Sequence, residues 1–175
     1  MSPLKAIARL IQLVKEEKLP PQVLDKLLTK EGALKNIPMR HGTSWKFKEF
    51  TDEVPTYLAE DPRVAFHAAR SQVSNLTPKG ALPGPRRIIT TVQNPQSTLT
   101  SNWDGSVKEM NALLARAEKE GHDYIDMPIA QDIWIDYPRS PHYATSLNPK
   151  NLIQVGDDVV PQNVRSLRQF HEWYD

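Results

Sequence analysis

The chain has 175 residues, a formal net charge of +1, fifteen prolines and no cysteine. That length supports one core of useful size, the near-neutral charge gives no general attraction to nucleic acid or lipid surfaces, and the missing cysteines exclude disulfides and thiolate chemistry. No apolar run approaches the roughly 20 residues needed to cross a bilayer. Lys15-Glu16-Glu17-Lys18 breaks any leader-like core, so no membrane is expected and the setting reads as cytoplasmic.

Ser2-Pro3 supplies a capping hydroxyl and a proline suited to the first helical position. Leu4, Ile7, Ala8, Ile11 and Val14 then recur at helical spacing until Pro20-Pro21. Val23, Leu24, Leu27 and Leu28 mark a second helix, with Gly32 as its expected stop. Residues 1–36 therefore read as a helical hairpin, carrying seven basic and four acidic side chains. The basic residues are scattered, so the hairpin reads first as a lid or brace, and second as a partner-docking or nucleic-acid-binding element.

Residues 37–160 read as the main domain. A strand is expected at 37–42, followed by an amphipathic surface segment with Trp45, Phe47 and Phe50, then a strand over 54–59. Glu60-Asp61-Pro62 opens a helix, its acidic side chains at the positive end. Residues 74–87 form a Pro/Gly/Ser-rich loop whose Lys79, Arg86 and Arg87 are either solvated or able to meet a pyrophosphate. A β-branched strand at 87–92 ends at Asn94-Pro95, and 96–104 read as irregular. Ser106 and Glu109 match a capping box for a helix running to Gly121. Short strands follow at 124–127, 133–135, 143–147 and 152–155, with a proline-bounded turn at 137–141. In the last segment, 161–175, Val164, Leu167, His171 and Tyr174 have helical spacing. Short strands among a few helices, without strand–helix–strand repeats, predict an α+β fold.

Several chemistries have no anchor. There is no glycine-rich phosphate loop and no Gly-x-Ser-x-Gly elbow, and the five histidines lack zinc spacing. What remains is Arg40-His41-Gly42-Thr43-Ser44-Trp45, read together with Tyr57. A histidine beside a glycine can hydrogen-bond a ligand while the glycine admits its close approach. Thr43 and Ser44 add hydroxyls, and Tyr57 offers a flat face for a planar ring. The same residues also suit a satisfied turn histidine and a core tyrosine.

The order of these features resembles the His-Tyr-Glu branch of the ADP-ribosyltransferase superfamily, which includes poly-ADP-ribose polymerases and small phage relatives. His41-Gly42-Thr43-Ser44 is similar to its first motif, and Tyr57-Leu58-Ala59-Glu60-Asp61-Pro62 to its second. Ile88 to Pro95, Glu120 to Ile125 and His142 to Ile153 are similar to later segments, so the likeness spans roughly residues 37–157. It implies two small sheets forming a cleft for NAD, the substrate. His41 would hold the nicotinamide-side ribose, the Gly42 main chain the nicotinamide amide, and Tyr57 would stack on the ring. Thr43 and Ser44 would complete the NAD-binding set.

The third family position is a glutamate before the last core strand, where this chain has His142 or, one residue on, Tyr143. Asp132 and Asp136 are the nearby acids able to replace it. Family members without that glutamate transfer single ADP-ribose units or are inactive. The expected function is thus mono-ADP-ribosyl transfer from NAD to a protein or nucleic-acid acceptor. The alternatives are a degenerate copy serving as a binding or virion-associated module, or an unrelated α+β interaction domain. No metal site is expected.

Overall fold

The computed structural model describes residues 1–46, 50, 54–71, 82–130 and 142–174. Helix α1 spans Pro3–Lys15 and α2 spans Pro21–Leu27. Ser2 caps α1 by accepting the Lys5 N–H at 3.3 Å. The buried face of α1 is not the expected one: Ala6, Leu10 and Leu13 pack inward, while Leu4 is 79% and Ile11 41% exposed. The hairpin braces the main domain, because that inward face joins Leu27, Val92 and Val155 in one cluster. Gly32 does not end α2, which stops at Leu27; it sits at positive φ in a later turn that returns the chain at Ala33.

Seven strands follow: β1 (Met39–Lys46), β2 (Thr56–Ala59), β3 (Leu82–Gln93), β4 (Thr98–Thr100), β5 (Tyr124–Met127), β6 (Tyr143–Ser146) and β7 (Leu152–Val159). They form one mixed sheet in the order β4-β5-β6-β2-β1-β3-β7, with β4 parallel to β5. The expected pair of small sheets is therefore a single seven-stranded sheet. Its weakest join lies in the middle, where the β1–β2 register holds the one pair Arg40–Ala59, against seven pairs between β1 and β3.

Two expected loops are partly strand. Residues 82–87 of the expected 74–87 loop belong to β3, and 98–100 of the expected irregular stretch form β4. Likewise Trp45 lies within β1. The expected strand at 133–135, the turn at 137–141, and Phe47, Lys79, Asp132 and Asp136 fall outside the described residues.

Helices α3 (Pro62–Ser71), α4 (Val107–Glu120) and α5 (Leu167–Tyr174) complete the α+β fold. Ser106 caps α4 by accepting the Glu109 N–H, but the reciprocal bond to the Ser106 N–H comes from Asp104, not Glu109. On one side, α4 covers β5 with Met110, Leu113 and Ala117 on Ile125 and Met127. Alongside it, Phe66 of α3 stacks on Phe170 of α5, ring centroids 4.5 Å apart and nearly parallel, over Ile88. Each such fully buried apolar side chain contributes on the order of 2 kcal/mol. Phe170 is the inward residue of α5, a position not marked by the expected Leu167–His171 spacing.

One contact sets how closely α3 lies on β1. A methyl group built on Gly42 would come 1.6 Å from the Ala65 carbonyl oxygen. The missing side chain thus makes room for a helix, where the sequence suggested room for a ligand. Gly42→Ala is expected to destabilise the protein by about 3 kcal/mol or more, because α3 must move off the sheet. Gly32→Ala, at φ +84° with open space around it, is expected to cost only about 1 kcal/mol. Urea unfolding midpoints compared at constant slope distinguish the two.

Candidate functional site

Because Gly42 faces α3, strand alternation turns His41 and Thr43 toward the other side of the sheet. The His41 ring reaches across the β1–β2 seam, with Nδ1 2.8 Å from the Tyr57 carbonyl oxygen. A carbonyl can only accept, so Nδ1 carries the proton and Nε2 is the acceptor nitrogen of the neutral ring. Phe50 sits edge-on to this imidazole at 5.3 Å. Enclosure lowers the His41 pKa below its ordinary value of 6.5; the Tyr57 carbonyl opposes the shift and the positive charge of Arg87 adds to it. Arg87 is itself held by both oxygens of Asp157, at 3.1 and 2.7 Å.

His41 and Tyr57 are brought together through the tyrosine's main chain. The Tyr57 ring packs against the cluster beneath α4, and that burial raises its hydroxyl pKa. Thr43 and Ser44 are both buried. The Thr43 hydroxyl accepts the Trp45 N–H at 3.1 Å, bracing the bulge where β1 slips against β3. The Ser44 hydroxyl has no hydrogen-bond partner among the described residues.

His142, one of the two residues expected at the third position, lies two strands from His41. Its carbonyl accepts the Glu60 N–H at 3.0 Å, extending the β2–β6 ladder. Its ring lies between two carboxylates: Nε2 is 2.5 Å from Asp126 Oδ1 and Nδ1 is 3.4 Å from Glu60 Oε2. Only an imidazolium can donate to both. The hydrogen bond to Asp126 is the leading cause that raises the His142 pKa, with desolvation opposing it and Glu60 adding to it. Tyr143, the alternative third residue, is a core side chain, edge-on to Trp103 at 5.5 Å.

Three residues in this network were not among the site residues expected from the sequence. Arg40 donates to the Glu60 carbonyl at 2.6 Å and to the Met1 carbonyl at 3.0 Å, tying the β2–α3 turn to β1. Asp126 and Glu60 supply the acids around His142. Alternation along β5 was a usable signal for Asp126, since Tyr124 and Asp126 share a face; nothing in sequence spacing pairs Asp126 with a residue sixteen positions later. Among the described residues no cluster of three or more His, Asp or Glu side chains is arranged to hold a metal ion, and no helix is long and apolar enough to cross a membrane.

The two histidines are expected to titrate in opposite directions in an NMR pH series, His41 below 6.5 and His142 above it. The raised His142 pKa means that its stabilising contribution is fully present below about pH 6.5 and is lost as pH rises through the folded value. His142→Gln should therefore lower stability in mild acid and converge with the parent protein at alkaline pH. Asp126→Asn should bring the His142 midpoint down; an unchanged midpoint would refute the clamp. For His41 the sign reverses: its depressed pKa makes acid below pH 6.5 destabilising.

No family model matches the chain, nor does any curated protein or solved structure.

Proposed function

We propose that this protein is an NAD-binding domain of the ADP-ribosyltransferase type, which transfers a single ADP-ribose unit to a protein or nucleic-acid acceptor. The supporting observation is strand order. The strands bearing His41 and Tyr57 follow each other in the chain and the one that His142 leads into comes much later, yet the three stand side by side as β6-β2-β1 at the centre of the sheet. That is the juxtaposition the motif resemblance requires. In this reading the seam at Arg40–Ala59 is the cleft. His41 Nε2 accepts a hydroxyl of the nicotinamide-side ribose, with its tautomer set by the Tyr57 carbonyl. The Gly42 main chain forms the nicotinamide side, and Thr43 and Ser44 line the same strand; Tyr57, whose ring packs under α4, takes part through its main-chain carbonyl. Catalysis consists of binding NAD in a distorted form and favouring an oxocarbenium-like ribose as nicotinamide leaves. Asp126 and Glu60, beside His142, supply negative charge in place of the family glutamate.

A second reading is a degenerate copy that serves as a binding or structural module, as in a phage particle. It is favoured by His142, whose two ring nitrogens are both engaged by carboxylates. The outward Leu4 and Ile11 on α1 suit a partner protein at the N-terminal hairpin.

Labelled NAD is expected to bind, to be cleaved or to label an acceptor, with each signal weakened by His41→Ala. Binding should raise the unfolding midpoint, by about 2.7 kcal/mol of stability at a hundredfold excess over Kd. Silence in all of these at millimolar NAD removes the transferase reading. A stoichiometric complex unchanged by His41→Ala and Tyr57→Phe then identifies the structural module.

A further inference from the structure

Away from the seam, a cavity of about 250 Å³ opens between the chain entering β1 and the strands β3, β4 and β5. Gln93 lines it and is 3% exposed. The Gln93 amide nitrogen donates to the Thr91 carbonyl and to the Thr91 hydroxyl, each at 2.8 Å. The carbonyl can only accept, and the Thr91 hydroxyl gives its own proton to the Met39 carbonyl at 3.0 Å. These bonds fix which way round the amide lies, so Oε1 is the atom left to the cavity. Tyr124, 6% exposed, lines the same space, and its hydroxyl makes no hydrogen bond to another described residue. Asp126 commits Oδ1 to His142 and keeps Oδ2.

We propose that this cavity is a binding site for a small neutral ring with hydrogen-bond donors on adjacent positions. Two acceptors, Gln93 Oε1 and Asp126 Oδ2, with the Tyr124 hydroxyl beside them, match such an edge. Met39 and Pro95 provide apolar walls for the ring. Exposed Lys35 and the His142 imidazolium also line the cavity, and the imidazolium balances Asp126; the buried wall around Gln93 and Tyr124 is itself uncharged, which suits a neutral ring. Each acceptor that faces the cavity gains a direct hydrogen bond when a ligand donor replaces water. The volume lies at the small end of ligand pockets, which limits the occupant to about one ring. Two sources share this chemistry: an amino-substituted heterocycle, and the vicinal diol of a sugar ring. The cavity shares Asp126 and His142 with the proposed reaction, but Gln93 and Tyr124 play no part in it, so their response to a probe tests this site apart from the NAD reading.

The test is a titration of the full-length chain, followed by NMR, with cytosine and separately with methyl β-ribofuranoside. One of the two probes is expected to shift the Gln93 side-chain amide and the Tyr124 resonances saturably, and which probe does so identifies the source. Gln93→Met should weaken binding about tenfold. Thr98→Phe, at an exposed rim position that makes no internal side-chain bond to preserve, should abolish it by filling the space, and His41→Ala should leave it intact. Failure of both probes to move these resonances would overturn the proposal. So would a Thr98→Phe protein that titrates like the parent.

Discussion

The close approach of the Ala65 carbonyl to Gly42 is the constraint from which the centre of the molecule is built. A helix seated that near a strand leaves no latitude in its entry, and the entry is held accordingly. Asp61 accepts the Arg63 N–H in the first turn of α3 at 2.9 Å. Arg40, two residues before Gly42, grips the Glu60 carbonyl. The Glu60 N–H and carboxylate both meet His142. The β2–α3 turn is thus fixed from β1 on one side and from the start of β6 on the other. Position 42 and position 142 act on the same turn without touching each other.

Much of this was legible in the sequence. Local chemistry announced α1 through Ser2-Pro3 and α4 through Ser106, and the β-branched run Ile88-Ile89-Thr90-Thr91-Val92 announced β3. The errors share a physical cause: each depends on contacts between distant segments. Leu4 and Ile11 fit an apolar helical stripe as well as Ala6 and Leu10 do, and only the position of Val92 and Val155 decides which stripe is buried. Thr98–Thr100 is too short and polar to signal a strand, and it exists because Tyr124–Asp126 offers a parallel edge. His41 meets Tyr57 through the tyrosine's main-chain carbonyl and not through the ring, and the use made of Gly42 could be seen only once α3 was in place.

The seam between β1 and β2 gives His41 a role that packing alone does not require. With one residue pair joining the strands, the imidazole bond to the Tyr57 carbonyl supplies a cross-strand link where ladder bonds are sparse. A neutral ring does this without burying a charge. The same bond determines which nitrogen can accept from a ligand.

His142 presents the opposite case. A carboxylate at the third position could face a developing positive charge on a ribose directly; an imidazolium there would repel it. The repulsion is offset only because Asp126 and Glu60 stand on either side, giving the three groups together a net charge of −1 when His142 is protonated. Charge delivered this way is less focused than that of one carboxylate, and it depends on the turn that carries Glu60 staying in place. Transfer chemistry at this site would therefore be coupled to the seating of α3 on Gly42, whereas a purely structural module would use the same ion pairs to hold the turn and require nothing further of them. The arrangement of charge around His142, more than the presence of His41, is where the proposed transferase and a purely structural module would differ.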